Sequence, residues 1–201
     1  MTEATPAPIA APTASSTRDR LLDAAADLFY REGMHIGVEA LCRAAGVSKR
    51  SMYQLFDSKD EVIAASLDRT AAAYRAALFP AADDAGSPRE RILHVFRRLE
   101  ALSVDADFHG CPFVAAAVEL KVPEHPGSLA ARRHKNALIA YFRHEAEAGG
   151  AQDPAELSRH LTVVFDGANS WGVVQGSGTD GLAISMATTL LDAAGMKDTA
   201  G

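Results

Sequence analysis

The feature that most constrains this chain is a glycine, Gly46, between two short amphipathic segments. The first segment carries apolar residues with the spacing of one helix face, at Val38, Leu41, Cys42 and Ala45. Glycine accepts the left-handed backbone conformation that ends a helix and turns the chain sharply. Ser48 can then cap a second short helix, because its hydroxyl can accept a hydrogen bond from a backbone N–H one turn later. Residues 38–59 are therefore predicted to form a helix-turn-helix.

The second helix of this hairpin is predicted to have one apolar and one polar face. Met52, Leu55 and Phe56 continue the apolar stripe. The polar face carries Lys49, Arg50, Ser51, Tyr53 and Gln54. These side chains suit a DNA groove, because lysine and hydroxyl groups contact phosphates, whereas arginine and glutamine can also read base edges.

The charge balance indicates local rather than general affinity for nucleic acid. The whole chain has a formal net charge of −6, which argues against coating of DNA in bulk. Between Arg43 and Lys59, however, four basic residues face one acid, which gives a local charge of +3. A small basic face on an acidic protein favours sequence-specific binding. The alternative is an ordinary helical hairpin with solvated charges, and the spacing alone does not decide between them.

The run AAGVSKRSMYQLFDSKDEVI (Ala44 to Ile63), preceded by LFYREG (Leu28 to Gly33), resembles the N-terminal domain of TetR-family transcriptional regulators. The resemblance is close over residues 17–65 and extends further only through helix pattern and length. It implies that residues 48–54 lie on a recognition helix and that Tyr53 and Lys59 contact phosphates. Before the phenylalanine the family often has histidine or tyrosine. Leu55 stands there and cannot donate a hydrogen bond, so that contact is expected to be missing.

These observations define the candidate DNA-binding residues and their roles. Arg50 and Gln54 are expected to contact bases, and Lys49, Tyr53 and Lys59 are expected to contact phosphates. The full set is Ser48, Lys49, Arg50, Ser51, Tyr53, Gln54 and Lys59.

The composition predicts an all-α protein, and the helix signals along the chain predict about nine helices. Alanine is abundant, runs of β-branched residues are few, and apolar residues make up 48% of the chain, as in folded domains. We expect residues 1–15 to be a disordered tail, residues 16–62 to form the helix-turn-helix DNA-binding domain, and residues 63–201 to form a helical ligand-binding and dimerisation domain. The helix that begins at Ser58 would belong to both domains.

The remaining helices are predicted from their capping signals. Ser87-Pro88-Arg89-Glu90 and Asp153-Pro154-Ala155-Glu156 each combine a cap, a proline in the first turn and a glutamate that closes a capping box. Ser16 with Asp19 opens the first helix, which Gly33 ends. The predicted helices cover approximately residues 58–79, 87–102, 113–122, 128–148, 153–175 and 179–194.

The last two helices are apolar on two sides, which predicts burial on two sides. One face would pack on the body and the other on a second copy, in a four-helix interface around a two-fold axis. The alternative is deep burial of both helices inside a monomer. The expected interface residues are Leu157, Leu161, Ala168, Trp171, Met186 and Leu190.

The body is rich in aromatic residues, which suits a pocket for a small apolar molecule. The family resemblance implies such a pocket, whose effector would release DNA. The candidate lining residues are Tyr74, Phe96, Phe113, Tyr141, Phe165 and Asn169, with Tyr141, Asn169 and His94 as possible polar anchors. For each of them, ordinary core packing is the alternative.

Other chemistry has little support in the sequence. His109 and Cys111 lie two residues apart, but the spacing of zinc motifs is missing, and so are nucleophile and phosphate-loop motifs. We expect no metal, no cofactor and no catalytic residue. The two cysteines, Cys42 and Cys111, are expected to be reduced thiols in a cytoplasmic protein without a membrane span.

The leading hypothesis is therefore a ligand-responsive DNA-binding transcriptional regulator. It would act as a repressor, bind a near-palindromic operator as a homodimer, and be released by a small molecule. The alternative hypothesis is a helical protein on the same scaffold that binds or transforms a small molecule without reading DNA.

Overall fold

The computed structural model describes residues 16–81 and 86–197, and in these ranges the chain forms nine α-helices and no strand. The all-α prediction is confirmed, and the predicted tail at residues 1–15 lies outside the described ranges. The helices are α1 (Thr17–Glu32), α2 (Val38–Ala45), α3 (Lys49–Leu55), α4 (Lys59–Leu78), α5 (Pro88–Ser103), α6 (Pro112–Leu120), α7 (Pro126–Ala148), α8 (Pro154–Gln175) and α9 (Leu182–Ala193).

Five helices begin at the caps that the sequence predicts. In each, a side-chain oxygen accepts a hydrogen bond from the backbone N–H three residues later, which satisfies a donor that the helix itself leaves unpaired. The capping residues are Ser16, Ser48, Ser58, Ser87 and Asp153. The strong local signals therefore set the helix starts in both halves of the chain.

Three boundaries differ from the sequence prediction. α6 ends at Leu120 rather than near residue 122, because Lys121 adopts a left-handed conformation with φ of 56°. α7 begins at Pro126, two residues early, since the Nδ1 atom of His125 accepts from the Gly127 N–H at 3.0 Å. α9 begins at Leu182 rather than Thr179, because Gly181 caps it with φ of 80°.

Two apolar cores hold the helices together. The first contains Leu21, Leu41 and Met52 of α1–α3, and it continues through Ile63 of α4 into α6 and the start of α7. The second joins α5, α7, α8 and α9 around three buried rings, Phe96, Phe142 and Phe165. Since α4 contributes to both cores, a shift of α4 relative to the body would move α1–α3 with it.

In the same ranges, no helix combines the length and the apolar character needed to cross a bilayer.

Candidate DNA-binding surface and effector cavity

The turn between α2 and α3 depends on Gly46. This residue has φ of 63°, and its N–H and that of Val47 donate to the carbonyls of Arg43 and Cys42 at 3.2 and 2.9 Å. Nothing lies within 4 Å of the position that a Cβ atom would occupy at Gly46. The backbone conformation, and not a shortage of space, therefore requires glycine here.

α3 is fixed to the domain core from one side. Ser48 caps it by accepting from the Ser51 N–H at 3.0 Å, and Met52 is completely buried beneath it. Phe56, just after the helix, is also buried, and the Arg18 guanidinium lies 5.2 Å from the centre of its ring. A seven-residue helix is too short to be stable alone, so these contacts hold it in place.

Leu55 does not belong to the buried stripe, contrary to the sequence prediction. Its side chain is 40% exposed, because α3 ends there and the extended backbone of Phe56 turns the next ring inward instead. Leu55 therefore lies at the edge of the exposed surface of α3. It places an apolar group, which cannot donate a hydrogen bond, on the surface expected to face DNA.

The structure brings six of the seven candidate DNA-binding residues together on α3 and its cap. Ser48, Lys49, Arg50, Tyr53 and Gln54 are exposed, and Ser51 is half-buried. The Lys49 ammonium pairs with the Glu39 carboxylate of α2 at 2.6 Å. This hydrogen bond raises the pKa of Lys49 and lowers the pKa of Glu39, so both groups are charged at neutral pH. We call the five exposed residues the α3 surface.

Lys59, the seventh candidate, has a different environment. Its Nζ atom donates to the Met34 carbonyl at 2.6 Å and lies 5.9 Å from the centre of the Phe29 ring. The side chain is half-buried at the start of α4. It links α4 to the segment that follows α1, a structural role that the sequence did not indicate.

A cavity of about 270 Å³ lies between α4, α6, α7 and α8. Three of the six predicted pocket residues line it, namely Tyr74, Phe113 and Phe165. The rings of Tyr74 and Phe113 meet edge to face at 5.5 Å. Asn169 is buried just behind the wall, where its Oδ1 atom accepts from the Tyr74 hydroxyl at 3.4 Å. We call this space the α4–α7 cavity.

The other predicted pocket residues are not in its wall. Phe96 is fully buried in the second core, where it stacks on Phe142 at 5.8 Å. Tyr141 packs edge-on against Phe79 at 4.5 Å and donates to the Arg91 carbonyl at 3.2 Å. His94 of α5 does not reach the cavity either. For these three residues, the alternative of ordinary packing was the better interpretation.

The predicted dimer residues divide into two groups. Leu157 and Leu161 lie inside the second core and have almost no exposed surface for a partner, so the structure does not support their assignment to an interface. Ala168 is also buried, at the floor of a groove between α8 and α9. Trp171 and Met186 are exposed beside that groove, and Leu190 is half-buried at its extension.

Comparisons with known proteins identify the fold. The model of the family "Bacterial regulatory proteins, tetR family" matches residues 21–66. A solved structure of a TetR transcriptional regulator from Streptomyces avermitilis is 55% identical to the chain, with a TM-score of 0.87, and the match covers 90% of this chain and 100% of that one. The chain belongs to the TetR family of transcriptional regulators.

More distant TetR-family structures share the architecture. A TetR-family regulator from Streptomyces coelicolor is 26% identical, with a TM-score of 0.78 over 89% of this chain and 95% of that one. The reduced form of NemR from Escherichia coli is 23% identical, with a TM-score of 0.73 over 88% and 96%, which shows the fold alone. A comparison with curated proteins returns no significant match. TetR-family regulators are generally DNA-binding proteins without catalytic activity.

In this TetR-family chain, α6 connects the cavity to the DNA-binding domain. Cys111 and Phe113, at the start of α6, line the cavity. Near its end, the Glu119 carboxylate accepts from the backbone N–H groups of Met34 and His35 at 2.8 and 2.9 Å. One short helix therefore contacts both the cavity and the turn between α1 and α2.

Sequence reasoning missed the polar groups of the cavity, which are Arg75, Cys111, His134 and Lys135. They come from three different helices, and only the packing of α4, α6 and α7 brings them together. Burial raises the pKa of the Cys111 thiol and raises that of the Tyr74 hydroxyl well above its usual value, so both are neutral. The many aromatic residues spread over the body helices were the only indication of this cavity in the sequence.

His109 and the next histidine along the chain, His125, are engaged in other contacts. The His109 ring packs on Tyr30 at 5.3 Å, and His125 caps α7 and lies 3.2 Å from an Asp60 oxygen. In residues 16–81 and 86–197, no three His, Cys, Asp or Glu side chains are grouped so that they could hold a metal ion.

Proposed function

We propose that this TetR-family chain is a dimeric repressor that binds a near-palindromic operator and leaves it when a small effector occupies the α4–α7 cavity. The observation that carries the proposal is the α3 surface, a set of exposed polar side chains on a helix fixed from behind by Met52 and Ser48. A rigidly held recognition helix can place several side chains in a major groove at once. Such a protein would act in the cytoplasm, where the DNA is.

The residues of the α3 surface divide by chemistry. Arg50 and Gln54 are assigned to base edges, because both side chains can form paired hydrogen bonds to a purine. Lys49 and Tyr53 are assigned to phosphates, with Ser48 and Ser51 close enough to contribute at the helix start. Lys59 is also assigned to a phosphate, but its contact should be weaker, since one of its three ammonium hydrogens is already donated to the Met34 carbonyl.

The exposed groove between α8 and α9 supports a homodimer. Val163 and Trp171 of α8 and Leu182 and Met186 of α9 expose large apolar side chains around it. Apolar patches of this kind mark interaction sites in folded proteins. Two antiparallel helices in each protomer can form an isologous four-helix contact around a two-fold axis. The two-fold symmetry of such a dimer would match an operator with an inverted repeat.

Effector control is proposed to act through α4 and α6. Arg69 of α4 holds α1 through Asp19 and Asp23, with N–O distances of 2.8 and 2.6 Å, and Glu119 of α6 holds the turn after α1. An effector that binds better when these helices are shifted would favour a spacing of the two DNA-binding domains that no longer fits the operator. The difference in effector affinity between the DNA-binding conformation and the shifted conformation sets how completely DNA is released.

Binding titrations of two variants test the DNA-binding part of the proposal. With fluorescently labelled duplexes in increasing salt, Lys49→Ala should weaken binding to every sequence and lower the salt slope by about one. Arg50→Ala should instead reduce discrimination at one position of each half-site by roughly 1–3 kcal/mol. If both variants lose affinity and salt dependence in the same way, the division of roles is wrong. If wild-type protein binds no duplex at low salt, DNA binding itself is disproved.

A further inference from the structure

The α4–α7 cavity has an asymmetric chemical lining. Its inner wall is aromatic, formed by Tyr74, Phe113 and Phe165, whereas its α4 and α7 sides carry three groups that can be cationic. These are Arg75, His134 and Lys135. Among the described residues that line the cavity, none is an aspartate or a glutamate.

Two of the three groups have acidic partners outside the lining. Lys135 pairs with Asp166 of α8 and lies 5.2 Å above the Phe165 ring. The His134 Nε2 atom lies 2.8 Å from Asp68, a carboxylate that it shares with Arg133 at 3.0 Å. These contacts hold both side chains at the cavity and leave part of their hydrogen-bonding capacity free for a ligand.

Arg75 differs from the other two. Its guanidinium lies 4.8 Å above the Phe79 ring and is exposed at the cavity. Within residues 16–81 and 86–197, no carboxylate lies within salt-bridge distance of it. Stacking on a ring fixes the plane of a guanidinium without using its N–H donors, which can then hold a carboxylate in a bidentate pair.

We infer that the cavity takes a small organic acid, with an apolar body between the three rings and a carboxylate at Arg75 and Lys135. The inference rests on the proposed effector role of the cavity and names the class of effector. A cavity of about 270 Å³ is near the lower end of the range for small-molecule sites, roughly 300–1,000 Å³, and suits one ring with a short substituent. The thiol of Cys111 and the hydroxyl of Tyr74 add no negative charge to repel it, because burial keeps both neutral.

Other ligand classes fit the lining less well. A cationic compound would meet Arg75 and Lys135 without a carboxylate in the wall to receive it. An electrophile would need a thiolate at Cys111, and burial raises the pKa of that thiol and so lowers the thiolate fraction. An uncharged compound can use the rings but leaves the guanidinium of Arg75 without an anionic partner.

The test uses three probes of nearly equal shape, namely 4-butylbenzoate, 4-butylbenzamide and 4-butylbenzamidinium, with charges of −1, 0 and +1. Binding to the full chain is measured by calorimetry without DNA. The benzoate should bind roughly tenfold more tightly than the benzamide, and the benzamidinium should bind most weakly. Arg75→Gln should remove most of this preference. Arg97→Gln removes the same charge from an exposed position of α5 outside the cavity, and it should leave the preference unchanged.

The outcomes separate the inference from the proposed function. Equal or tighter binding of the amide, an unchanged preference in Arg75→Gln, or no binding of any of the three probes would overturn the organic-acid inference. A separate titration then adds the benzoate to the complex with DNA. If the acid binds selectively through Arg75 but does not weaken DNA binding, the inference stands and the proposed release mechanism is wrong.

Discussion

At the scale of single residues, the ion pair of Lys49 bears on its proposed phosphate contact. Its ammonium pairs with Glu39, but both side chains are largely exposed, at 53% and 75%. Exposed ion pairs contribute little to stability, so a phosphate can replace the carboxylate at small cost. The carboxylate of Glu39 remains near the DNA afterwards, where it would repel the phosphate backbone.

Replacing Glu39 by glutamine should therefore strengthen DNA binding. Because Glu39 is exposed, loss of this repulsion should give only a roughly two- to fivefold gain in affinity at low salt. The gain should shrink as salt screens the charges. Fluorescence anisotropy with an operator duplex at several salt concentrations measures both effects.

Asp27→Asn provides the matched control for Glu39→Gln. Asp27 forms a comparable exposed pair with Arg31 at 2.8 Å, but it lies on the side of α1 that faces the body, next to Phe108 and Pro112. This variant should leave DNA affinity unchanged. Equal gains from both substitutions would mean that net charge, and not the position of Glu39, sets the affinity.

At the scale of elements, α6 gives the cavity a second connection to the DNA-binding domain, beside α4. α6 approaches the α1–α2 turn closely at Gly33, where a Cβ atom would lie 2.9 Å from a Glu119 oxygen. Gly33 also has φ of 98°, which side-chain-bearing residues rarely adopt. The glycine thus ends α1 and makes room for the carboxylate that holds the next two backbone N–H groups.

Replacing Glu119 by alanine should loosen this contact without disturbing the second core. The amides of Met34 and His35 would lose their acceptor, so their hydrogen exchange should become roughly tenfold faster. Amides at Phe142 and Phe165, in the second core, should keep their protection. Glu119→Gln retains one acceptor oxygen and should give an intermediate rate. Unchanged exchange at Met34 and His35 in Glu119→Ala would contradict the proposed link.

Local signals were sufficient for most of the fold and for the α3 surface. Gly46, Ser48 and the cap–proline–glutamate runs act through neighbouring backbone groups, so their effect can be read from adjacent residues. The partners of Lys59 and Glu119 could not be predicted, because each lies on another helix far away in the sequence. The sequence predicts two apolar faces on α8, but which of them faces the core depends on how α5 and α7 pack against it. For that reason the sequence did not show that Leu157 and Leu161 lie in the second core.

At the scale of the whole molecule, large apolar side chains are exposed around the α8–α9 groove. Val163 is 71% exposed, and Trp171 and Met186 are each nearly half exposed. We propose that a second copy of this chain covers them. A dimer would also explain how an operator is bound tightly, because one small α3 surface alone offers few contacts. Each protomer would then contribute one recognition helix at a fixed distance.

Val163→Glu and Met186→Glu should each weaken dimerisation by at least about a hundredfold, because a buried unpaired carboxylate would occur twice in the symmetric contact. Sedimentation velocity over a range of concentrations measures the effect. Val122→Glu, in the loop before α7, adds the same charge at an exposed apolar position away from the groove and should leave the dimer intact. A dimer that persists in both groove variants would exclude this interface. Leu161→Glu would test folding instead, since Leu161 is fully buried.

The most direct test of the whole account is selection of DNA from a random pool of duplexes by the full chain, followed by sequencing of the bound fraction. A dimer with two α3 surfaces should enrich an inverted repeat whose half-site centres lie one helical turn, about 10 base pairs, or a multiple of it, apart. The same selection with Arg50→Ala should lose preference at one position in each half-site. Enrichment of a single unpaired half-site, or of no sequence at all, would contradict the claim that this protein reads an operator as a dimer.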